Sequence, residues 1–558
     1  MLKYLLAGSA LLLAMSAAPA LAAPQCDADN GGITLPKGFC AMVVANNLGA
    51  ARHAVAAPNG DLYVALRAEN GSPGGAVALH DSKGDGHFDV EQKFASGSST
   101  GIGFYNGYLY VAQPTQVIRF KMTPGQLVPA GQPEVVVSGF DPAREHNDKG
   151  LTFDGKGFFY VNVGSPSNAC QVRDRMKGSP GQDPCPVLEK HSGIWKFDAS
   201  KLNQTQDSGT KIVTGLRQEP DVAWAHGAAY TVMNNRDSID QLFPDHFTAQ
   251  DNNEGPAEVM YRADPGSNFG WPYCYVDYRS GKILLAPEYG GDGKTVGRCA
   301  SGVTPPVAAF PAHWAPVDVN FYDGKQFPAH YQGGAFIAFH GSWNRAPLPQ
   351  GGYNVVFQPL ADGKAAGAFV VFADGFAGVH KDPGGAAHRP TGLAVAPDGS
   401  LYIADDKGGR IWHVTYTGSP NAEIAAAPAP AAQAETASGD VLPPEGVHPN
   451  AGNDLADLQP PHGVTQAQLA RGEQIFQGRL DDGTCAGCHG MDAKGTAMGA
   501  DLTSGKFLWG GTAASRPSPI RSPRVCRSPR SIRASCRRTA AHHSRRPMWQ
   551  MSLPTSGL

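Results

Sequence analysis

Residues 105–112, YNGYLYVA, place a two-residue Asn-Gly turn directly before a short strand of aromatic and aliphatic residues. Such turns join neighbouring antiparallel strands into hairpins. The same phrase, a glycine turn followed by an apolar strand, occurs five more times: PNGDLYVA (58–65), DGKGFFYVNVG (154–164), AHGAAYTVM (225–233), QGGAFIAFHGS (332–342) and PDGSLYIADD (397–406).

The spacing of these phrases predicts the architecture. The first three copies start about 47–50 residues apart, and the later gaps are longer. A repeat of about 40–50 residues built from short strands is the pattern of a β-propeller, in which each repeat forms one blade. Six copies therefore predict an all-β, six-bladed β-propeller over residues 30–417. A β-sandwich whose hairpins resemble one another by chance is the alternative, and six aromatic-rich copies disfavour it.

The N-terminus predicts export. One Lys precedes an apolar run at residues 5–13, and a small-residue site, Ala-Leu-Ala, ends at Ala22. This is the pattern of a signal peptide over residues 1–22, and the apolar run is too short to span a membrane. Lipidation of Cys26 is a less favoured alternative, because Gln25 precedes it. We therefore expect a periplasmic protein, with peripheral membrane association as a further expectation.

Six of the cysteines form pairs that are close in sequence. In an exported chain such pairs predict disulfides, each contributing about 2–4 kcal/mol by restricting the unfolded chain. Metal ligation is the alternative, but no nearby histidine or C-x-x-C spacing among these six supports it. The predicted pairs are Cys26 with Cys40, Cys170 with Cys185, and Cys274 with Cys299.

A haem-attachment motif lies near the end of the chain, in GTCAGCHGMDAKG (483–495). Cys485, Cys488 and His489 form C-x-x-C-H, the signature of a c-type haem. The two thiols would hold the haem through thioether bonds, and His489 would be the proximal iron ligand. A redox C-x-x-C pair or half of a zinc site is the alternative.

The segments between the propeller and the haem motif predict a tethered second domain. Residues 418–450 are rich in Ala and Pro, which indicates a semi-rigid linker. A helix before C-x-x-C-H is how small α-helical cytochrome c domains begin, so residues 460–510 are predicted to form such a domain. The helix is predicted over TQAQLARGEQIFQGRL (465–480), with Thr465 as its N-cap and with Leu469, Ile475, Phe476 and Leu480 on one face.

Residues 511–558 are unlike the rest of the chain. They contain ten Arg and no Lys, Asp or Glu, and show no helical or strand period. A basic arm, a tail that does not fold and a shifted reading frame are three interpretations, and we favour the third. Nucleic-acid binding is not expected of an exported protein. Because the tail replaces the part that would close the haem pocket, the cytochrome domain is predicted to be incomplete. No distal ligand is assigned among Met498, Met548 and Met551.

Five stretches between about residue 30 and residue 415 carry a family resemblance through their order and spacing: EHNDKGLTFDGKGFFYVNVGS (145–165), GLRQEPDVAW (215–224), GSNFGWPYC (266–274), HGSWNR (340–345) and RPTGLAVAPDGSLYIAD (389–405). With them, this part of the chain resembles the pyrroloquinoline quinone (PQQ)-dependent soluble glucose and aldose dehydrogenases, and more closely the L-sorbosone dehydrogenases. HGSWNR is similar to the sorbosone branch. The resemblance implies PQQ above the central channel of the propeller with calcium beside it, and oxidation of an aldose or sugar aldehyde.

The resemblance also implies roles for individual residues. His146, in EHNDKG, corresponds to the general base that takes the proton of the substrate hydroxyl. Arg217, in GLRQEP, corresponds to an arginine that stabilises negative charge on the reduced cofactor. Gln218 follows it where the family often has Asn. Arg389, in HRPTG, corresponds to an arginine that pairs with a cofactor carboxylate. Without the resemblance, His146 is a loop histidine and Arg389 a surface arginine.

Three further positions correspond more loosely to cofactor contacts. Trp314 falls where the glucose branch has an aromatic residue near the PQQ ring. Asn344 or Arg345 falls where that branch places a cationic side chain on PQQ.

The stretch VMNNRDSIDQ (232–241) corresponds to the calcium-binding turn of the family. The carbonyl oxygens of Asn235 and Arg236 are the implied ligands. Asn235 replaces the usual Gly, and Asn tolerates positive φ better than most residues.

A fused haem domain suggests that electrons pass from PQQ to haem c or to an external respiratory quinone or cytochrome. Two other functions stay open. A metal-dependent propeller lactonase or other hydrolase would need carboxylates converging on the channel, and hydrolysis releases no electrons for a haem. A non-catalytic binding propeller with an electron-transfer domain is the other, since a propeller fold alone does not exclude it.

Overall fold

The computed structural model describes residues 26–69, 72–141, 145–345, 349–383, 385–423, 425–428 and 464–476, and the backbone of residues 506–507 and 511–512. Strands make up most of the regular secondary structure of the described chain. Its strands are β1 (Phe39–Ala45), β2 (Ala51–Ala56), β3 (Leu62–Leu66), β4 (Gly75–His80), β5 (Val90–Phe94), β6 (Ile102–Tyr105), β7 (Tyr108–Gln113), β8 (Gln116–Lys121), β9 (Glu134–Ser138), β10 (Leu151–Phe153), β11 (Phe158–Val163), β12 (Gly193–Asp198), β13 (Gln204–Thr205), β14 (Thr210–Thr214), β15 (Val222–Ala225), β16 (Ala228–Met233), β17 (Glu258–Ala263), β18 (Cys274–Val276), β19 (Ile283–Leu285), β20 (Ala308–Phe310), β21 (Pro316–Phe321), β22 (Ala335–Phe339), β23 (Asn354–Gln358), β24 (Leu360–Ala361), β25 (Lys364–Ala365), β26 (Val370–Ala373), β27 (Pro390–Val395), β28 (Leu401–Asp405), β29 (Ile411–Tyr416), β30 (Lys506–Phe507) and β31 (Gly511–Thr512).

The helices of the described chain are short. No described helix has the length and apolar composition that a membrane crossing would require. The α-helices are α1 (Ile239–Leu242), α2 (Ala249–Glu254) and α3 (Gln466–Phe476), and the 3₁₀ helices are Asn30–Gly32, Pro186–Glu189, Gln206–Ser208, Pro287–Tyr289, Gly297–Ala300 and Ala329–Tyr331.

Six sheets of four or five strands form the six blades of a propeller, as the repeats predict. Their strand orders are β2-β3-β4-β5, β6-β7-β8-β9-β13, β10-β11-β12-β14, β15-β16-β17-β20, β21-β22-β23-β26 and β27-β28-β29-β1. The first strands of successive blades contact one another around a central channel. In the last blade the outer strand is β1, which pairs antiparallel with β29, with Phe39 opposite Tyr416. The N-terminal strand therefore closes the ring on the C-terminal blade.

Each repeated phrase of the sequence forms the second strand of a blade and the turn before it. Asn106 (φ 48°) and Gly107 (φ 77°) form the two-residue turn between β6 and β7, where both residues need positive φ. His226 (φ 47°) and Gly227 (φ 75°) form the equivalent turn between β15 and β16. Every residue of β3 and of β22 is buried, because a middle strand is covered by the blades on both sides.

This topology brings distant loops to one end of the molecule. The first strand of each blade runs away from that end, a hairpin turns the chain, and the second strand returns. Connections that enter first strands and connections that leave second strands therefore share one end of the propeller, which we call the upper face. Residues 145–150, 216–221 and 386–389 enter first strands, and residues 164–168 and 234–238 leave second strands.

All three predicted disulfides are present: Cys26–Cys40, Cys170–Cys185 and Cys274–Cys299. The predicted helix after the linker is also present as α3. The Thr465 Oγ1 atom accepts a hydrogen bond from the backbone N–H of Gln468 at 3.2 Å, as an N-cap does. The predicted apolar face is buried at Leu469, Ile475 and Phe476. Leu480 lies outside the described residues.

Candidate active site

His146 lies on the upper face, in the connection that enters β10. Its φ is 56°, a left-handed conformation that costs a non-glycine residue about 1–2 kcal/mol. Its Nδ1 atom lies 2.7 Å from the carbonyl oxygen of Ser165, which follows β11. A carbonyl oxygen can only accept, so Nδ1 carries the proton and Nε2 of the neutral ring carries the lone pair. Gly164 permits this approach, because a Cβ there would lie 2.6 Å from the His146 carbonyl oxygen.

A chain of charged groups surrounds His146. The Nε2 atom faces Oε2 of Glu145 at 3.7 Å. Arg175 binds both oxygens of Glu145, at 3.0 and 2.8 Å, and also reaches Oδ2 of Asp237 at 3.1 Å. Burial opposes the ionisation of Glu145, but the charge of Arg175 outweighs it and lowers the pKa of Glu145 to about 2. Glu145 and Arg175 therefore form a charged pair at neutral pH.

The protonation of His146 itself follows from its surroundings. Burial of the ring lowers the pKa of His146 to about 4, and the positive charge of Arg217 acts in the same direction. Glu145 opposes this shift. The imidazole is therefore neutral at pH 7, with its Nε2 lone pair ready to accept a proton.

Arg217 is buried beneath this cluster, with 1% of its surface exposed. Its guanidinium donates to the carbonyl oxygens of Asn168 and Asn234, both at 3.2 Å. It also binds Oδ2 of Asp237 at 2.5 Å. Arg217 and Arg175 together hold the pKa of the Asp237 carboxyl well below its usual range, although burial opposes this.

Of the loosely predicted residues, Asn344 joins this cluster and the others do not. Asn344 Nδ2 donates to Oδ1 of Asp237 at 2.7 Å. Arg345 instead donates to the carbonyl oxygens of Asn253 and Ala312. Gln218 extends the sheet, because its carbonyl oxygen accepts the Asn234 N–H at 2.8 Å.

The ring of Trp314 packs in the core of the fifth blade. It makes edge contacts with Phe339 and Phe369, at centroid distances of 5.6 and 6.0 Å. The ionic cluster around His146 therefore does not include it. The role predicted for Trp314 beside PQQ stays a prediction.

The predicted calcium turn leaves β16 at the upper face. The Asn235 N–H donates to Oε2 of Glu258 at 2.8 Å, and the Arg236 side chain forms a buried ion pair with Glu288. Asn235 stands where the family usually has Gly, but its φ is not positive. The left-handed residue of this turn is Ser238, with φ 57°. Burial raises the pKa of Glu258 to about 8.

Arg389 belongs to a second polar group on the upper face. Its guanidinium donates to the carbonyl oxygens of His340 and Gly341, at 3.0 and 2.7 Å. His340 Nε2 lies 3.3 Å from Oδ2 of Asp406, and Asp406 is paired with Arg52 at 3.2 Å. Within the described part of the chain, the Arg389 side chain forms no ion pair with a carboxylate, although its backbone N–H donates to Oδ1 of Asp405 at 2.7 Å.

The predicted haem ligands Cys485, Cys488 and His489 lie outside the described residues, as do the signal peptide and most of the linker and tail. Their roles stay predictions.

Sequence reasoning missed several residues that shape the site. Glu145 and Asp237 are sequence neighbours of the predicted site residues His146 and Arg236. An acidic residue next to a predicted site residue could have indicated that it belongs to the site. His313, whose Nδ1 lies 4.0 Å from Oδ1 of Asp237, and Arg175 lie in connections with no repeat, so no pattern marked them.

The comparisons with known proteins agree with this architecture. The PQQ-dependent pyranose dehydrogenase of Coprinopsis cinerea is 25% identical over 287 residues, which cover 44% of this chain and 37% of that relative. The chain therefore spans little more than a third of the length of this curated relative.

Two solved structures share the fold. The PQQ domain of the Coprinopsis cinerea pyranose dehydrogenase, in its holo form, aligns with a TM-score of 0.55 at 19% identity, covering 69% of this chain and 97% of that one. The calcium structure of the Trichoderma reesei enzyme of carbohydrate-active enzyme family AA12 aligns with a TM-score of 0.57 at 19% identity, also covering 69% and 97%. The TrAA12-like family model matches residues 33–417, the whole propeller, and the chain belongs to that family.

Proposed function

We propose that this protein oxidises a sugar, an aldose or a sugar aldehyde of the L-sorbosone type, to the corresponding lactone or acid with PQQ and calcium. The observation that carries the proposal is the neutral His146, whose unprotonated Nε2 lies in a charged cluster at the upper face of a TrAA12-like propeller. The Coprinopsis cinerea relative is a PQQ-dependent pyranose dehydrogenase, which agrees with this proposal.

The residues of the upper face fit a PQQ molecule, which carries three carboxylates. Arg389 is half-buried, and among the described residues no carboxylate forms an ion pair with its side chain. A planar guanidinium suits a carboxylate partner. The buried Oδ1 atom of Asn234 accepts no hydrogen bond from the described chain, so it offers a polar contact to a bound molecule. Arg389 and Asn234 are therefore our candidates for holding PQQ.

The turn after β16 fits a calcium ion. Calcium prefers oxygen ligands, including backbone carbonyls and carboxylates. The carbonyl oxygens of Asn235 and Arg236 accept no hydrogen bond from the described chain. Glu258, which has no cation partner among the described residues, lies directly beside the turn. A buried carboxylate with a raised pKa gains from a nearby cation, because the cation stabilises its ionised form.

When bound, PQQ supplies a quinone that accepts a hydride, and calcium makes that quinone more electrophilic. The chain supplies the rest of the chemistry. His146 Nε2 accepts the proton of the substrate hydroxyl as the hydride leaves the carbon that carries it. Glu145, held by Arg175, stays ionised and stabilises the imidazolium that this transfer forms. Arg217 fixes Asp237, and Asp237 orients Asn344.

We further propose that the electrons reach a haem c on Cys485, Cys488 and His489, or an external respiratory quinone or cytochrome. The three disulfides support a periplasmic location, because disulfides persist in oxidising compartments.

A dye-linked assay tests the proposal. The purified chain is loaded with PQQ and calcium and offered a panel of aldoses, sugar aldehydes and sugar lactones. Dye reduction with at least one aldose or sugar aldehyde, dependent on both PQQ and calcium, supports the dehydrogenase. Lactone hydrolysis without dye reduction would support a hydrolase. Sugar binding with neither reaction would support a binding propeller.

A further inference from the structure

Three side chains from three different blades meet inside the central channel. His53 lies on β2, Asp221 directly precedes β15, and Asp318 lies on β21. All three are buried. Each offers one nitrogen or oxygen atom, and these three atoms lie within 4.8 Å of one another. The group is separate from the His146 cluster, and none of its members has a part in the proposed oxidation.

His53 is oriented as a metal ligand would be. Its Nε2 atom lies 2.9 Å from the carbonyl oxygen of Val317. Because that oxygen can only accept, Nε2 carries a proton, and Nδ1 is the ring atom that faces the group. The Nδ1 atom faces Oδ1 of Asp221 at 3.4 Å. A ring nitrogen and a carboxylate oxygen that face each other in a buried place need a proton or a metal cation between them.

Backbone N–H groups hold the two carboxylates in place. Oδ2 of Asp221 accepts from Val319 at 3.2 Å, and Oδ2 of Asp318 accepts from Leu393 at 2.8 Å. Each member of the group is thus anchored through one atom by a first strand of the propeller. Metal-binding histidines and carboxylates show this arrangement, in which outer hydrogen bonds orient the ligands.

The separation between His53 and Asp221 suits a small divalent ion, and the other separations in the group are at most 4.8 Å. A tetrahedron with bonds of about 2.1 Å, as zinc forms with histidine and carboxylate, has edges of about 3.4 Å. That is the separation between His53 Nδ1 and Asp221 Oδ1. Imidazole ligation favours zinc and related first-row ions over calcium, which prefers six to eight oxygens. The adjacent Arg52 is already neutralised by Asp148 and Asp406.

We propose that His53, Asp221 and Asp318 bind one zinc-type divalent cation in the channel, a structural site that joins the first strands of three blades. The alternative is that a proton, and not a metal ion, neutralises the two carboxylates. Burial raises the pKa of both Asp221 and Asp318, so a shared proton would neutralise the pair where no ion is bound.

Cobalt(II), which replaces zinc and absorbs visible light, tests the site. The full chain is stripped with a chelator and titrated with cobalt, and visible absorption and bound metal per chain are measured. We expect His53→Gln and Asp318→Asn to lose one bound cobalt per chain and its nitrogen–oxygen type spectrum. The matched control is His80→Gln, which removes the half-exposed histidine that faces Asp61 at 2.6 Å without a second carboxylate. That variant should keep the signal.

Two outcomes would overturn the proposal. One is wild-type protein that takes up no cobalt outside the haem-motif cysteines, whose thiolates give a distinct and more intense absorption. The other is His53→Gln with the wild-type spectrum and stoichiometry. If the variants do not fold, X-ray absorption on the zinc-loaded wild type decides. Scattering from one imidazole at a nitrogen–oxygen site supports the proposal, and its absence contradicts it. A chain that binds cobalt here but oxidises no sugar would leave this site intact and overturn only the proposed oxidation.

Discussion

The Nδ1 atom of His146 lies 2.7 Å from the carbonyl oxygen of Ser165. This single contact fixes the tautomer of the ring, so that the unprotonated nitrogen points to the cluster of Glu145 and Arg175. Ser165 follows one strand and His146 precedes the strand beside it, so the blade itself sets the distance between them. Gly164 makes this close approach possible, because any side chain at that position would clash with the His146 backbone.

Replacement of His146 should remove catalysis and leave cofactor binding. We choose His146→Asn, because Asn tolerates the positive φ of this position. Turnover in the PQQ-loaded protein should fall about 10²–10⁴-fold, the usual contribution of a positioned base. His80→Gln is the control and should keep full turnover.

In the wild type, kcat/KM should fall on the acid side with an apparent pKa well below 6.5, because burial lowers the pKa of His146 to about 4. Turnover in His146→Asn near the wild-type rate would exclude His146 as the base.

Arg389→Gln should weaken PQQ binding. A hydrogen bond to a charged group contributes about 1.5–3 kcal/mol, which corresponds to a loss of affinity of about 10–150-fold. Fluorescence titration of the apoprotein with PQQ measures it. Arg298→Gln, at an exposed arginine paired with Asp183, is the control. Equal PQQ affinity in Arg389→Gln and the wild type would show that Arg389 does not hold a cofactor carboxylate.

Calcium affinity should rise with pH in a way that depends on Glu258. Burial raises the pKa of Glu258 to about 8, so below that pH a proton holds the carboxyl neutral and calcium must displace it. The affinity measured by calorimetry should therefore increase as pH rises from about 6 to 8.5. In Glu258→Gln the affinity should be lower and nearly independent of pH. The same pH dependence in both proteins would place calcium away from this turn.

The architecture could be predicted from the sequence because each blade repeats the same local sequence pattern. A glycine turn and a buried aromatic strand recur, and all six copies became second strands. The site was only partly readable. Arg175 binds Glu145 across 30 residues that include β10, β11 and part of the irregular connection after β11. His53 meets Asp221 and Asp318 across the channel. Such contacts depend on how six blades close into a ring, and no local pattern records that.

The haem domain gives a separate prediction. Because residues 511–558 lack an apolar period and carry ten Arg, their sequence does not predict an apolar face on which a closing helix could be buried. Any haem on Cys485 and Cys488 should therefore lack a methionine ligand and be high-spin or misligated, as optical and EPR spectra of the purified chain would reveal. The propeller should still reduce artificial dyes, since a domain with its own core folds independently. A low-spin, methionine-ligated haem would contradict this and point to Met548 or Met551.

A single-turnover experiment without any electron acceptor tests whether the PQQ-loaded chain itself oxidises a sugar with His146 as the base. The chain is loaded with PQQ and calcium, mixed rapidly with a sugar found active in the dye assay, or with each sugar of the panel in turn, and the absorption of the bound quinone is followed. We expect reduction of about one quinone per chain, fast in the wild type and about 10²–10⁴-fold slower in His146→Asn. If the quinone of fully loaded wild-type protein stays oxidised with every aldose and sugar aldehyde, the chain is not a sugar dehydrogenase. If His146→Asn reduces the quinone at the wild-type rate, His146 is not the base.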